Sequence, residues 1–94
     1  MKHKLVGMWP ARDYWLDGIK LDPAPSQRII NHSPDGFNHS YSGSGPAQLA
    51  LAIAIMLGKK DNYQQLKQDV IAQIPRGSFD IEFTWDGEHG KIEK

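Results

Sequence analysis

The sequence predicts a small α+β protein in which an antiparallel sheet of three to five strands packs against a two-helix hairpin. Residues 78–85 alternate apolar and polar side chains, which is typical of a strand with one buried face. The run Leu49–Leu57 is apolar on every side and therefore predicts a helix at the centre of the core. Residues 61–74 carry an apolar stripe opposite a polar face, which predicts a second helix packed on the first.

The N-terminal part of the chain predicts the other strands. Residues 4–9 and 13–21 are rich in β-branched, aromatic and aliphatic side chains, and turn-forming residues separate them. Asp17 interrupts the apolar pattern of the second segment. Asp17 and Gly18 are therefore either part of one continuous strand or a second tight turn, and the sequence leaves both alternatives open.

Three further predictions complete the organisation of the chain. The two prolines in residues 22–25 predict a rigid bend, and residues 27–31 predict a short strand or a single helical turn. The chain predicts one domain, 1–94, because 94 residues suffice for one modest core. The ordered core is expected to span about residues 4–86, and the polar segment 87–94 is expected to be frayed.

Composition restricts the class of function. Eleven basic residues balance eleven acidic residues, which argues against a strongly cationic nucleic-acid binder, although exposed aromatic side chains leave base stacking as a less favoured alternative. The chain has no cysteine, so it has neither disulfides nor thiolate metal ligands. No signal-peptide pattern and no apolar run of the ~20 residues that a membrane span needs are present, so we expect a cytoplasmic protein without membrane association.

The densest chemistry lies in the loop of residues 32–45, which is rich in serine, glycine, asparagine, aspartate and proline. Structureless loops of this length are often functional in compact domains. The predicted contact residues of this loop are His32, Asp35, Phe37, His39, Tyr41, Ser42 and Ser44. Of these, Phe37 and Tyr41 are the expected anchors for a protein partner if they are exposed.

Catalysis and metal binding are not predicted for this loop. Serine, histidine and aspartate occur together in it, but the Gly-x-Ser-x-Gly elbow of serine hydrolases is absent. The spacing of His32 and His39 matches no standard pair of metal ligands. We therefore predict no catalytic residue, no metal and no cofactor.

The start of the first predicted helix offers an alternative binding site. Pro46 suits the first helical position, which makes Gly45 the predicted N-cap and lets Gln48 reach back to the Gly45 N–H as half of a capping box. A helix N-terminus attracts anions, so Gly45–Gln48 could form a small-ligand or phosphate site. The competing interpretation is that Ser42 or Ser44 caps these amides.

The segments His32-Ser-Pro-Asp-Gly-Phe37 and Tyr41-Ser-Gly-Ser-Gly-Pro-Ala-Gln-Leu-Ala-Leu-Ala-Ile53 resemble a family of small proteins from bacteria, phages and plasmids. Its hallmark is Tyr-Gly-Gly-Ser-Gly-Pro-Ala-Gln-Leu-Ala-Leu-Ala, and Ser42 replaces the first glycine here. The family has no assigned activity, so no catalytic residue is transferred. The resemblance implies a phage or mobile-element protein that acts on a host or phage protein complex, for example as an anti-CRISPR-like inhibitor of a host nuclease. It leaves open a monomer or a homodimer.

Overall fold

The computed structural model describes residues 2–93 and has five strands and three α-helices. The strands are β1 (Lys2–Met8), β2 (Asp13–Leu16), β3 (Ile19–Lys20), β4 (Phe79–Trp85) and β5 (Gly90–Glu93). The helices are α1 (Pro23–Ile29), α2 (Ser44–Met56) and α3 (Tyr63–Asp69), and a 3₁₀ turn follows at Ile71–Gln73. The predicted α+β class is confirmed, with one helix more than expected.

All strand pairs of the sheet are antiparallel, and the strand order is β3-β2-β1-β4-β5. Leu5 at the centre of β1 lies opposite Leu16 on one side and Ile81 on the other. Leu5, Leu16 and Phe83 are buried in one cluster with the helices, whereas alternate positions such as Lys4 and Glu82 are exposed. The helices therefore cover one face of the sheet and leave the other face to solvent.

Helix α2 is the central element, as its apolar sequence predicts. Every residue from Gly45 to Ala54 is buried. The helix ends in a Schellman motif, in which Lys59 N donates to Ala54 O at 2.9 Å and Gly58 N donates to Ile55 O at 3.0 Å. Gly58 has a φ of +72°, which confirms it as the left-handed cap.

The tight turn at Asp17 and Gly18 is confirmed over the continuous strand. These residues have φ angles of +51° and +83°, and they separate β2 from β3. The Asp17 carboxylate accepts from Lys4 N at 2.8 Å and lies 2.9 Å from His3 Nδ1. The carboxylate thereby ties the turn to the neighbouring strand β1.

Two helix predictions need correction. The bend predicted for 22–25 is wrong, because the Asp22 carboxylate caps α1 by accepting from Ala24 N at 2.9 Å, and Pro23 suits the first helical turn. Of the two alternatives for 27–31, the structure has the helical one, since α1 continues to Ile29. The helix predicted over 61–74 is shorter. It ends at Asp69, because Val70 leaves helical geometry with a φ of −121° and a ψ of −63°.

The frayed segment expected at residues 87–94 is replaced by strand β5 within the described residues. Gly90 pairs with Trp85 and Ile92 pairs with Phe83. Gly90 N also donates to Asp69 Oδ2 at 2.8 Å, which joins the strand to the end of α3. Polar composition predicts an unpaired tail, but the backbone edge of β4 and the Asp69 carboxylate at the end of α3 supply the partners that hold this strand.

Candidate functional site

The loop from Asn31 to Gly43 is divided between the core and the surface. Phe37 and His39 expose only 4% and 3% of their surface, so Phe37 does not meet the condition of exposure on which its predicted role as an anchor rests. Gly45 and Gln48 at the start of α2 are buried as well. Four residues of the predicted contact set are exposed, and they form its accessible part: Asp35, Tyr41, Ser42 and Ser44.

Gln48 is a buried clamp and not half of a capping box. Its Oε1 accepts from the backbone N–H groups of His32 at 2.8 Å and Ser33 at 3.0 Å. Its Nε2 donates to Ser26 Oγ at 2.8 Å and to Ile30 O at 3.1 Å. One side chain thus satisfies four polar groups where α1 meets the loop, and none of its hydrogen-bonding capacity is left for a ligand.

His39 lies at the centre of an aromatic cluster. Its Nε2 is 2.8 Å from the carbonyl oxygen of Gly77, which can only accept, so Nε2 carries the hydrogen and Nδ1 accepts from the Tyr14 hydroxyl at 2.7 Å. The ring contacts Phe79 at 4.7 Å and Trp9 at 5.8 Å between centroids. Burial lowers the pKa of His39 below its ordinary value and raises the pKa of Tyr14 above its own, so both groups are neutral.

The glycines before α2 allow a close approach of Tyr41 and Asn38. A Cβ atom on Gly43 would lie 2.4 Å from Tyr41 Cε2. A Cβ atom on Gly45 would lie 2.5 Å from Asn38 Cβ and 3.3 Å from the Tyr41 hydroxyl oxygen. These glycines therefore let the loop fold back onto the helix start, with the Tyr41 ring lying over the backbone of Gly43.

The helix start differs from the predicted one by two residues. Helix α2 begins at Ser44 with Gly43 as N-cap, and no side chain caps it. Ala47 N donates to Gly43 O at 3.0 Å, and the Ser42 hydroxyl accepts from Gln68 Nε2 at 2.9 Å. The Ala47 amide, at which the sequence placed an anion, thus already has a backbone acceptor.

Neither predicted histidine is hydrogen-bonded to a serine hydroxyl. His32 Nε2 is 2.6 Å from the Tyr63 hydroxyl, and both nitrogens of His39 are bonded to Tyr14 and Gly77. Within residues 2–93, no three His, Asp or Glu side chains come together as a metal site would require. The hydrolase hypothesis therefore lacks the contact on which it depends.

The exposed end of the loop borders a surface cavity of about 340 Å³. Trp9 from the β1–β2 turn, Tyr41 from the loop and Arg76 from the segment before β4 all line it. Trp9 is 45% exposed and Tyr41 is 49% exposed. Hydrogen bonding holds the backbone of Trp9, since Trp9 N donates to Ser78 Oγ at 2.8 Å. His39, which packs edge-on against Trp9, also lines this cavity.

Sequence reasoning placed Tyr41 at this site but missed Trp9 and Arg76. The three residues are far apart in the chain, and only the sheet pairing of β1 with β4 brings the two missed segments together. Asp35, in contrast, lines a different cavity of about 480 Å³ with Arg12. The predicted contact set therefore does not form one surface.

Among residues 2–93, no helix has both the length and the hydropathy that crossing a membrane demands.

Comparison with known proteins identifies the family. Neither the curated proteins nor the solved structures contain a match to this chain. A family described as a family of unknown function, DUF6166, matches residues 11–93. That match spans the four strands other than β1, the three helices and every residue of the cavity except Trp9, and the chain therefore belongs to this family of unknown function.

Proposed function

We propose that the chain is a non-catalytic interaction protein that binds a partner protein at the cavity bordered by Trp9, Tyr41 and Arg76. The observation that carries this proposal is the coincidence of these three residues at one cavity. Tryptophan, tyrosine and arginine are the residue types most enriched among the side chains that dominate the free energy of protein association. In a domain of this size, two aromatic side chains left about half exposed at one cavity favour a binding surface over a packing role.

The surroundings of the cavity support binding without catalysis. The histidine beneath it is neutral, buried and bonded at both nitrogens, which leaves neither nitrogen available to accept a proton from a substrate. The aromatic side chains are instead positioned by the fold. The Trp9 ring packs edge-on with His39, and the Tyr41 ring lies over Gly43, so little side-chain freedom is lost on binding.

The partner that we propose follows from the resemblance of residues 32–37 and 41–53. A phage or mobile-element protein of this size acts on a protein complex of its host, and a defence or nuclease complex is the proposed target. The host cytoplasm is the proposed site of action. The exposed aromatic surface supports an inhibitor that acts by occupying a surface of that complex.

Capture of the partner from a lysate of the host cell tests the proposal. The tagged protein should enrich one complex, with and without nuclease treatment, as identified by mass spectrometry. Tyr41→Ala and Trp9→Ala should each weaken the affinity by about thirtyfold and reduce the enrichment accordingly, because truncating a side chain that dominates an interface costs roughly 2 kcal/mol of binding free energy.

Met56→Ala is the matched control. Met56 is 49% exposed, as Tyr41 is, but it lies at the far end of α2. Its truncation removes a similar exposed apolar area and should leave capture unchanged. Equal capture by the wild type, Tyr41→Ala and Trp9→Ala, with thermal unfolding showing that all three fold, would disprove a role for this cavity.

A further inference from the structure

We infer that the cavity bordered by Trp9, Tyr41 and Arg76 binds an acidic peptide segment, with a carboxylate of the partner seated against Arg76 and Ser40. This inference rests on the proposed function and names the chemistry of the partner. It depends on the polar groups of the cavity wall, which include an arginine without an ion-pair partner and a hydroxyl without a hydrogen-bond partner within residues 2–93, and no carboxylate.

Ser40 and Arg76 bring two unpartnered donors to the cavity. Ser40 lines the cavity, and its enclosed hydroxyl has no hydrogen-bond partner within residues 2–93. A buried hydroxyl without a partner is unfavourable, so a ligand acceptor that reaches this point would be favoured. Arg76 lines the same cavity, and no carboxylate of residues 2–93 lies within ion-pair distance of its guanidinium.

Two acceptors of the wall are occupied, and no carboxylate lines it. The carbonyl oxygen of Gly77 accepts from His39 Nε2 at 2.8 Å, and the Asn38 side-chain oxygen accepts from His39 N at 2.9 Å. The cavity is lined by one arginine and by no aspartate or glutamate, although the whole chain has as many acidic as basic residues. Its local charge is therefore positive, and a group with acceptor oxygens and negative charge complements it.

The single arginine favours a peptide carboxylate over nucleic acid. Binding of a nucleic-acid backbone draws on several lysine or arginine contacts to successive phosphates. This cavity supplies one cation among its lining residues, and the chain has no net charge to attract a polyanion. One guanidinium with a neighbouring hydroxyl matches the two oxygens of one carboxylate, while Trp9 and Tyr41 provide the flanking apolar contact that a peptide side chain would use.

The backbone places the Ser40 hydroxyl at this point. Ser40 has a φ of +77°, in the left-handed region that non-glycine residues rarely adopt. Ser40 N donates to Ile71 O at 3.1 Å, and His39 next to it is fixed by Tyr14 and Gly77. The fold thus holds a strained serine between a buried histidine and an exposed tyrosine, in agreement with a residue retained for binding.

Selection from a random peptide library tests the inference without knowledge of the natural partner. The intact protein is immobilised, and displayed peptides are selected on it and counter-selected on a Trp9→Ala/Tyr41→Ala double variant. The enriched peptides should contain aspartate or glutamate next to an apolar residue. Fluorescence anisotropy with these synthetic peptides should show about tenfold weaker binding to Arg76→Gln and about threefold weaker binding to Ser40→Ala.

Arg28→Gln is the matched control, since Arg28 is exposed at the end of α1 and does not line the cavity. It should bind the peptides as the wild type does. Replacement of the peptide carboxylate by the corresponding amide should weaken binding to the wild type and have little further effect on Arg76→Gln. This loss of additivity separates a direct ion pair from a general effect of charge.

The outcomes distinguish the inference from the proposed function. Enriched peptides without acidic residues, or equal binding by the wild type and Arg76→Gln, would overturn the inference and leave protein binding at Trp9 and Tyr41 intact. Failure to enrich any peptide that depends on Trp9 and Tyr41 would overturn both. A labelled single-stranded oligonucleotide serves as the third probe. If it binds the wild type, binds Arg76→Gln more weakly and is not displaced by the peptides, the ligand of the cavity is nucleic acid and the peptide inference is wrong.

Discussion

The two halves of the loop before α2 differ in what their polar residues do. In residues 32–39, the backbone of His32 and Ser33 is held by buried Gln48, and His39 is bonded at both ring nitrogens. In residues 40–43, the Ser40 hydroxyl has no partner within the described chain, and Tyr41 is half exposed. Buried side chains of the core thus fix both ends of the first half, and the second half presents Tyr41 to a ligand.

This difference shows that the concentration of histidine, serine and aspartate in a loop does not by itself locate a site. The chemically versatile residues of the first half satisfy one another and nearby backbone groups, as buried polar groups must. The accessible half has the less conspicuous chemistry of one tyrosine and one strained serine. It becomes a candidate site only because Trp9 and Arg76 approach it from other parts of the fold.

The largest effect is expected from Gln48→Ala, which would break the first half of the loop. The substitution leaves two backbone N–H groups, one carbonyl and the Ser26 hydroxyl without their partner in a fully buried position. We expect the free energy of unfolding to fall by about 3 kcal/mol or more. Gln68→Ala is the control, because this exposed glutamine bonds only to Ser42 and should change stability by about 0.5 kcal/mol. Urea denaturation measures both, and similar losses would contradict the clamp.

A smaller effect is expected from Gly45→Ala, which tests the packing between the two halves. The new Cβ would lie 2.5 Å from Asn38 Cβ, and relief of this overlap requires the loop to move. We expect a loss of about 1–3 kcal/mol in the free energy of unfolding. Ser44→Ala, next to it and exposed, should lie within about 0.5 kcal/mol of the wild type. A Gly45→Ala variant as stable as Ser44→Ala would show that the loop does not need this close approach.

The smallest effect on stability is expected from the protonation of His39. It compares a histidine whose ring is buried with a histidine whose ring is exposed. Burial lowers the pKa of His39 below its ordinary value of 6.5, so the unfolded chain binds this proton more readily than the folded chain. Its contribution to stability is present above about pH 6.5 and is lost as the pH falls from there through the folded-state pKa.

Thermal unfolding at about pH 7.5 and about pH 5 measures this contribution. The wild-type Tm should fall between these pH values, and His39→Gln should show a smaller fall, because the titrating group is removed. His89→Gln, at an exposed histidine, should keep the wild-type difference. An equal pH dependence in all three proteins would show that His39 is not the group responsible.

Local patterns of the sequence determined most of the secondary structure. The apolar run gave α2 its central place, the alternation in residues 78–85 corresponds to β4, and Asp17 with Gly18 forms the turn that was one of two alternatives. These features follow from periodicity and from backbone preferences that act within a few residues. The prolines of residues 22–25 also suit a bend, so the sequence does not separate a bend from the start of α1, although the Asp22 cap and Pro23 are signals of a helix start.

The sequence by itself thus determined the α+β class, the buried helix and the position of Tyr41 in a candidate loop. Only the tertiary structure decided that Gln48, Phe37 and His39 are enclosed, and that Trp9 and Arg76 join Tyr41 at one cavity. The physical reason is the range of the interactions. Helix and turn preferences act between neighbours in the chain, whereas burial and the composition of a cavity depend on strand pairing and packing between segments separated by tens of residues.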